Sequence, residues 1–169
     1  MTFSFNESKE KLRPKKEQEE CSDLVKVSRD GLELQYITNQ TYELCVAAVN
    51  NNPDALKYAK IKTEEFYCEV VAFNSKILLQ IEKQSDKICL ASLTRGVRAL
   101  EYMREQNPLI CLIAISQCAT ALKYIRKPTQ QMIDIALLKE PDSYMFLSNK
   151  PTYVDRVKST LGRIGIGSK

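Results

Sequence analysis

The residues that most often carry chemistry in proteins are scarce in this chain of 169 residues. It contains six cysteines but no histidine, so the commonest general base near neutral pH is missing. No two cysteines form a C-x-x-C pair, and there is no histidine to complete a zinc site. The glycine-rich stretch GRIGIG near the end lacks the Lys-Ser/Thr ending of a phosphate-binding loop. We therefore predict a protein that is not an enzyme and has no catalytic residue, cofactor or metal site.

Three of the cysteines share a spacing that gives them a different role. Cys45, Cys89 and Cys111 are separated by multiples of 22 residues, and Tyr67 and Ile133 stand at the two remaining places of this series. A position that accepts cysteine, tyrosine and isoleucine is a packing position, because a buried free cysteine behaves as a small apolar residue. We predict structural thiols in an intracellular protein rather than disulfides.

The 22-residue interval belongs to a repeat that covers most of the chain. Leucine recurs at this interval five times, and a tyrosine stands two residues after four of these leucines. The leucines are Leu34, Leu56, Leu78, Leu100 and Leu122, and the tyrosines are Tyr36, Tyr58, Tyr102 and Tyr124. A fixed period of this size is typical of stacked repeat proteins, and we predict that both series lie in the core.

Each period is predicted to contain two short helices of roughly 8 to 10 residues. A possible N-cap residue stands before the apolar stripe of the first helix in five successive periods. These residues are Thr41, Thr63, Ser85, Asn107 and Thr129. In one period the second helix is predicted to have Asn52 as its N-cap and Pro53 as its first helical residue. Proline is favoured at the first helical position.

These helices predict an all-α fold, an α-solenoid of about five 22-residue helix-turn-helix repeats with a partial capping repeat at each end. Residues 21–161 form the predicted helical repeat domain. Residues 1–20 are rich in lysine and glutamate and are predicted to be a flexible charged arm, and residues 162–169 a flexible tail.

The repeat resembles a known one. The residues from Thr41 to Tyr58 follow the pattern T-x-E-x-C-x-x-A-V-x-x-N-x-x-A-L-x-Y, and parts of it recur at Cys89 to Ala91 and at Ala121 to Ile125. The pattern is similar to the short tandem helical repeats of unknown function that are abundant in amoeba-infecting giant DNA viruses of the mimivirus kind. The resemblance covers about residues 34–147 and implies a helical array of viral origin, but no activity and no catalytic residue.

The function predicted for such an array is protein–protein interaction, as a scaffold that is a structural or host-interacting component of a giant virus. The partner is a protein or a second copy of the chain, with no membrane and no small-molecule substrate. The predicted partner-binding residues are Phe73, Leu79, Arg95, Arg98, Arg104 and Arg126. Local repacking that buries Phe73 and Leu79 remains an alternative for these two side chains.

Hydropathy bears on the cellular compartment of the protein, and charge bears on nucleic-acid binding as a second possible function. The chain has no apolar run near the roughly 18 residues of a membrane helix and no apolar signal region at its start, so we expect a protein that is not secreted and lies in the host cytoplasm or the virion. The net charge of +4 permits nucleic-acid binding through the basic middle repeats and the C-terminal tail. The predicted burial of the tyrosines weighs against this alternative, because bases stack on accessible rings.

Overall fold

A computed structural model describes residues 15–148 and 162–163 of the chain. Every regular element within these ranges is a helix, and they contain no strand. The predicted all-α class is therefore confirmed. The predictions made for residues 1–14, 149–161 and 164–169 lie outside the described residues.

Two kinds of helix alternate along the described chain. The α-helices are α1 (Lys15–Arg29), α2 (Tyr42–Asn51), α3 (Glu64–Phe73), α4 (Asp86–Ser92), α5 (Pro108–Gln117), α6 (Gln130–Lys139) and the short α7 (Met145–Ser148). The 3-10 helices are η1 (Gly31–Tyr36), η2 (Pro53–Lys57), η3 (Ser75–Gln80), η4 (Leu93–Arg95), η5 (Val97–Tyr102), η6 (Ala119–Tyr124) and η7 (Pro141–Tyr144). The helices α2 to α6 begin 22 residues apart, and so do η1, η2, η3, η5, η6 and η7. The sequence period is therefore also a period of helix boundaries.

The first helix of each period begins at the predicted cap. The side chains of Thr41, Thr63, Ser85 and Thr129 each accept a hydrogen bond from the backbone N–H three residues later, at 3.3 to 3.4 Å. Asn107 accepts from the N–H of Leu109 at 2.9 Å. These bonds satisfy donors that have no partner inside the helix, which confirms the five predicted starts.

The second helix of each period is shorter and more tightly wound than predicted. It is a 3-10 helix of five or six residues in η1, η2, η3, η5 and η6, so the prediction of 8 to 10 residues is wrong for it. A 3-10 helix rises about 2.0 Å per residue and an α-helix about 1.5 Å, so six residues of the first span about 12 Å, the length of about eight residues of the second. Two helices of similar length therefore fit within 22 residues.

Residues three apart eclipse each other in a 3-10 helix, and this decides which side chains are buried. In η5, Leu100 and the following Met103 are buried in line on one side. Arg98 and Glu101 are exposed on another side and form an ion pair at 3.1 Å. The leucine and the apolar residue three positions later therefore form the core side of each 3-10 helix.

The tyrosines do not lie in the core as predicted. Tyr36 is 73% exposed, and Tyr58, Tyr102 and Tyr124 are only half-buried. Tyr58, Tyr102 and Tyr124 stand at or just after the last residue of their 3-10 helices, each three residues after a fully buried alanine, whereas Tyr36 stands three residues after Glu33. The prediction that these rings form part of the core is wrong.

The chain divides into two compact units between Val70 and Val71, within α3. In the first unit α1 packs against α2, and η1 packs against η2. In the second unit α5 packs against α4 and α6, while η5 packs against η3 and η6. In each unit, helices of the same kind from neighbouring repeats therefore lie side by side. The helix α1 begins at Lys15 and so includes residues 15–20 of the predicted arm.

Adjacent leucines in η3 give a matched test of this packing. Leu78 is completely buried, whereas Leu79 is 61% exposed. We expect Leu78→Ala to lower the free energy of unfolding by about 2–5 kcal/mol, because it leaves a cavity in the core. Leu79→Ala should change it by less than about 0.5 kcal/mol, as is usual for a surface substitution. Urea unfolding followed by circular dichroism measures both, and equal losses in the two variants would contradict the described packing.

Candidate functional site

A glutamine joins the 3-10 helices of neighbouring repeats at three places. Gln106 donates from Nε2 to the carbonyl oxygens of Leu100 and Tyr124, both at 2.9 Å, and its Oε1 accepts from the N–H of Arg126 at 2.8 Å. Gln84 makes the equivalent bonds one repeat earlier, and Gln40 makes them in the first unit. We call these three residues the bridging glutamines.

The bridging glutamines bind backbone groups at the ends of the 3-10 helices, including carbonyl oxygens that also accept a backbone N–H, as those of Leu34 and Leu78 do. The carbonyl oxygens they bind lie near the C-terminal ends of two successive 3-10 helices, and the N–H they accept from follows the second of these helices. Unpaired polar groups of this kind are costly when shielded from water. The glutamines were not singled out from the sequence, although their spacing by multiples of 22 residues was a signal that could have found them.

Long cations at the ends of the repeats also bind backbone carbonyl groups of the preceding repeat. Arg126 donates from Nη1 to the carbonyl oxygen of Arg104 at 2.8 Å and from Nη2 to that of Met103. Lys60 donates to Thr38 in the first unit at 2.8 Å, in the equivalent place. These cations therefore connect neighbouring repeats.

The six predicted partner-binding residues are all exposed, but they do not form one cluster. Arg95 lies over the ring of Phe73, 4.7 Å from its centroid, and partly covers a side chain that is 45% exposed. Arg98 forms an ion pair with Glu101, and the guanidinium of Arg126 donates a hydrogen bond to the carbonyl oxygen of Arg104. Leu79 is exposed, so the local repacking considered for it does not occur. Arg104 is the remaining exposed guanidinium of the set.

A surface that was not predicted lies on the outward side of the α-helices of the second unit. Leu109 on α5 and Leu138 on α6 are 68% and 67% exposed, and Ile113 on α5 and Leu90 on α4 are 41% and 39% exposed. Leu109 and Ile113 are four residues apart and so share one side of α5. We call these four residues the apolar face. The sequence PLICLIAISQ of α5, apolar on almost every side, was the signal for it.

The cysteine positions agree with their predicted packing role. Cys45, Cys89 and Cys111 are buried, and all six cysteines are free thiols. Burial raises the pKa of the Cys45, Cys89 and Cys111 thiols above its ordinary value, since a thiolate is poorly solvated there. Within the described part of the chain, no three histidine, cysteine or acidic side chains are grouped so as to hold a metal ion.

Crossing a bilayer as a helix requires about 20 consecutive, mainly apolar residues. None of the helices in the described ranges is both long enough and apolar enough to do so.

Comparison with known proteins finds no family model that matches the chain, and no curated protein or solved structure that is significantly similar to it. The resemblance to giant-virus repeats therefore stays a prediction.

The bridging role of glutamine can be tested at Gln106. Gln106→Ala removes three hydrogen bonds at once, and we expect it to lower the free energy of unfolding by about 2 kcal/mol because part-buried backbone groups lose their partners. Gln80→Ala, at an exposed position in η3, is the matched control and should leave stability almost unchanged. Thermal unfolding of both variants measures their stability. If Gln106→Ala is as stable as the natural chain, these hydrogen bonds do not stabilise the fold.

The thiols provide a second test of the described burial. Iodoacetamide should label Cys21, Cys68 and Cys118, which are half-buried, faster than Cys45, Cys89 and Cys111 in the native protein. The reason is that the thiolate is the reactive form and burial suppresses both its formation and its access. Peptide mass spectrometry after short labelling times measures the rates, with labelling in urea as the control in which the difference disappears. Equal native rates would contradict the packing of these three cysteines.

Proposed function

We propose that the 22-residue units form an α-solenoid of about five helix-turn-helix repeats and that this array is a scaffold for protein–protein interaction. The regular starts of the helices support the repeat, and so do the bridging glutamines, which make the same bonds in the first unit and twice in the second. Stacked repeats present equivalent positions in rows, which suits an extended contact with another protein. This role requires no catalytic residue and no cofactor.

The observation that carries the proposal is the apolar face. Leu109 and Leu138 leave most of their side chains in water, and each fully covered leucine would contribute about 1.5–3 kcal/mol. A helix that is apolar on almost every side is normally covered on every side. Exposed apolar surface of this kind is typical of sites where another protein binds.

The predicted partner-binding residues have different places in this proposal. Leu79 and Phe73 supply further exposed apolar contacts. Arg95 and Arg104 are exposed charges suited to the rim of an interface. Arg98 and Arg126 are already engaged within the chain, so we assign them a smaller share of the binding energy.

The proposed setting follows from the resemblance stated for residues 34–147. We propose an intracellular protein of a giant virus, either a virion component or a host-directed one. The partner is another protein, and self-association is the alternative that the experiment separates.

The proposal predicts that the contact between the chain and its protein partner is lost when the apolar face is made polar. In crosslinking mass spectrometry of the tagged protein in its native cell or particle, crosslinks from α5 and α6 to one partner should be abundant for the natural chain. Leu109→Ser combined with Leu138→Ser should reduce them at least about tenfold, since two central apolar anchors commonly contribute more than 1.4 kcal/mol together. Gln80→Ser, at an exposed polar position of η3, should leave them unchanged.

Light scattering of the purified chain then identifies the kind of partner. A dimer that the double variant converts to a monomer assigns the face to self-association, and a monomer in both cases assigns it to another protein. Unchanged crosslinks in a folded double variant would refute the proposed role of this face.

A further inference from the structure

The half-buried tyrosines of the second unit lie among cations. Tyr102 and Tyr124 stand at the ends of η5 and η6, which pack against each other. The Lys123 ammonium lies 5.8 Å from the centroid of the Tyr124 ring. Arg98 lies on η5 with Tyr102, and its guanidinium forms an ion pair with Glu101 at 3.1 Å. The two rings hold the same repeat position on helices that pack together. We call them, with Arg98, Arg104 and Lys123, the tyrosine cluster.

The charge around this cluster is positive. Between Val97 and Lys127 the chain has five cations, Arg98, Arg104, Lys123, Arg126 and Lys127, and two carboxylates, Glu101 and Glu105. The side chain of Arg126 is bound to backbone carbonyl groups, and Arg98 is paired with Glu101. Arg104, Lys123 and Lys127 are exposed at the same ends of the repeats. An anionic ligand is therefore favoured here.

The first unit contains the same pairing once. Tyr58 directly follows η2 as its C-cap residue, and the ammonium of Lys57 lies 4.7 Å from the centroid of the Tyr58 ring. Tyr36 occupies the same place of the repeat but follows Gln35 and is more exposed. Lysine therefore precedes tyrosine at this place twice, whereas Tyr36 follows Gln35 and Tyr102 follows Glu101.

We propose that Tyr102, Tyr124, Arg98, Arg104 and Lys123 bind single-stranded nucleic acid, with bases against the two rings and phosphates against the cations. Aromatic faces and cations along one groove or row are the means by which proteins hold single strands without reading their sequence. A duplex is a poorer ligand, because its bases are stacked inside and cannot reach half-buried rings.

The contact between Lys123 and Tyr124 is compatible with this ligand. An exposed cation–π contact is weaker than the stacking of a base on a tyrosine ring. A base that stacks on Tyr124 displaces the Lys123 ammonium, which then contacts the adjacent phosphate. This cluster shares no residue with the apolar face, but Arg98 and Arg104 also belong to the proposed protein interface. The tyrosine and leucine variants therefore separate the two proposals.

The test is fluorescence anisotropy of the full chain with labelled mixed-sequence 12-nucleotide single strands at low salt. We expect binding that weakens as salt rises, since phosphate contacts release counterions. Tyr102→Leu combined with Tyr124→Leu should weaken binding at least about tenfold, because two stacking faces are lost. The double Tyr→Phe variant retains the faces and should bind as the natural chain does. Tyr36→Leu is the matched control and should have no effect.

Further variants separate base stacking at this cluster from simple attraction between charges. Lys123→Gln should lower the salt dependence by about one phosphate contact, and Leu109→Ser with Leu138→Ser should leave nucleic-acid binding unchanged. Circular dichroism checks that each variant is folded. No binding at low salt, equal binding of polyglutamate, tighter binding of a duplex, or full binding by the folded double Tyr→Leu variant would each overturn the proposal.

Discussion

A helix of five or six residues makes only a few hydrogen bonds of its own, and the repeats depend on side chains from elsewhere to join neighbouring helices. The last carbonyl groups of such a helix have no N–H partner within the helix and bond to following residues or to side chains. The bridging glutamines have two donors and one acceptor oxygen on a planar group, and they serve two successive helices at once. The same side chain thus completes the hydrogen bonding of one repeat and joins it to the next. Short helices that are marginal alone can persist because they are bonded across the repeat boundary.

The parts of the fold that the sequence predicted are those that depend on local chemistry. Thr41 and its four counterparts accept the N–H groups at helix starts, because a cap needs only a side-chain oxygen and its own following turn. The leucine series and the buried cysteines followed from apolar residues at a constant period. The all-α class followed from the same spacing.

The parts that were missed depend on distinctions that a short pattern does not make. Spacings of three and four residues both suit a five-residue helix, so η2 could not be recognised as a 3-10 helix and Tyr58 was assigned to the core. Arg126 was assigned to partner binding because a sequence does not reveal which carbonyl group a long side chain reaches. Leu109 and Leu138 were overlooked since α5 and α6 contain more apolar residues than their buried sides need.

The position of the bridging glutamine also constrains how such a chain can change in length. Each bridge joins groups in its own repeat to groups about one period further on, as Gln106 does with Leu100 and Tyr124. Removing or adding a few residues between the two helices would bring the amide opposite the wrong backbone atoms. Removing or adding one whole period of 22 residues places the glutamine amide opposite the equivalent backbone atoms of another repeat. An array built this way is free to vary in its number of copies by duplication or loss, while the size of each copy is held at twenty-two residues.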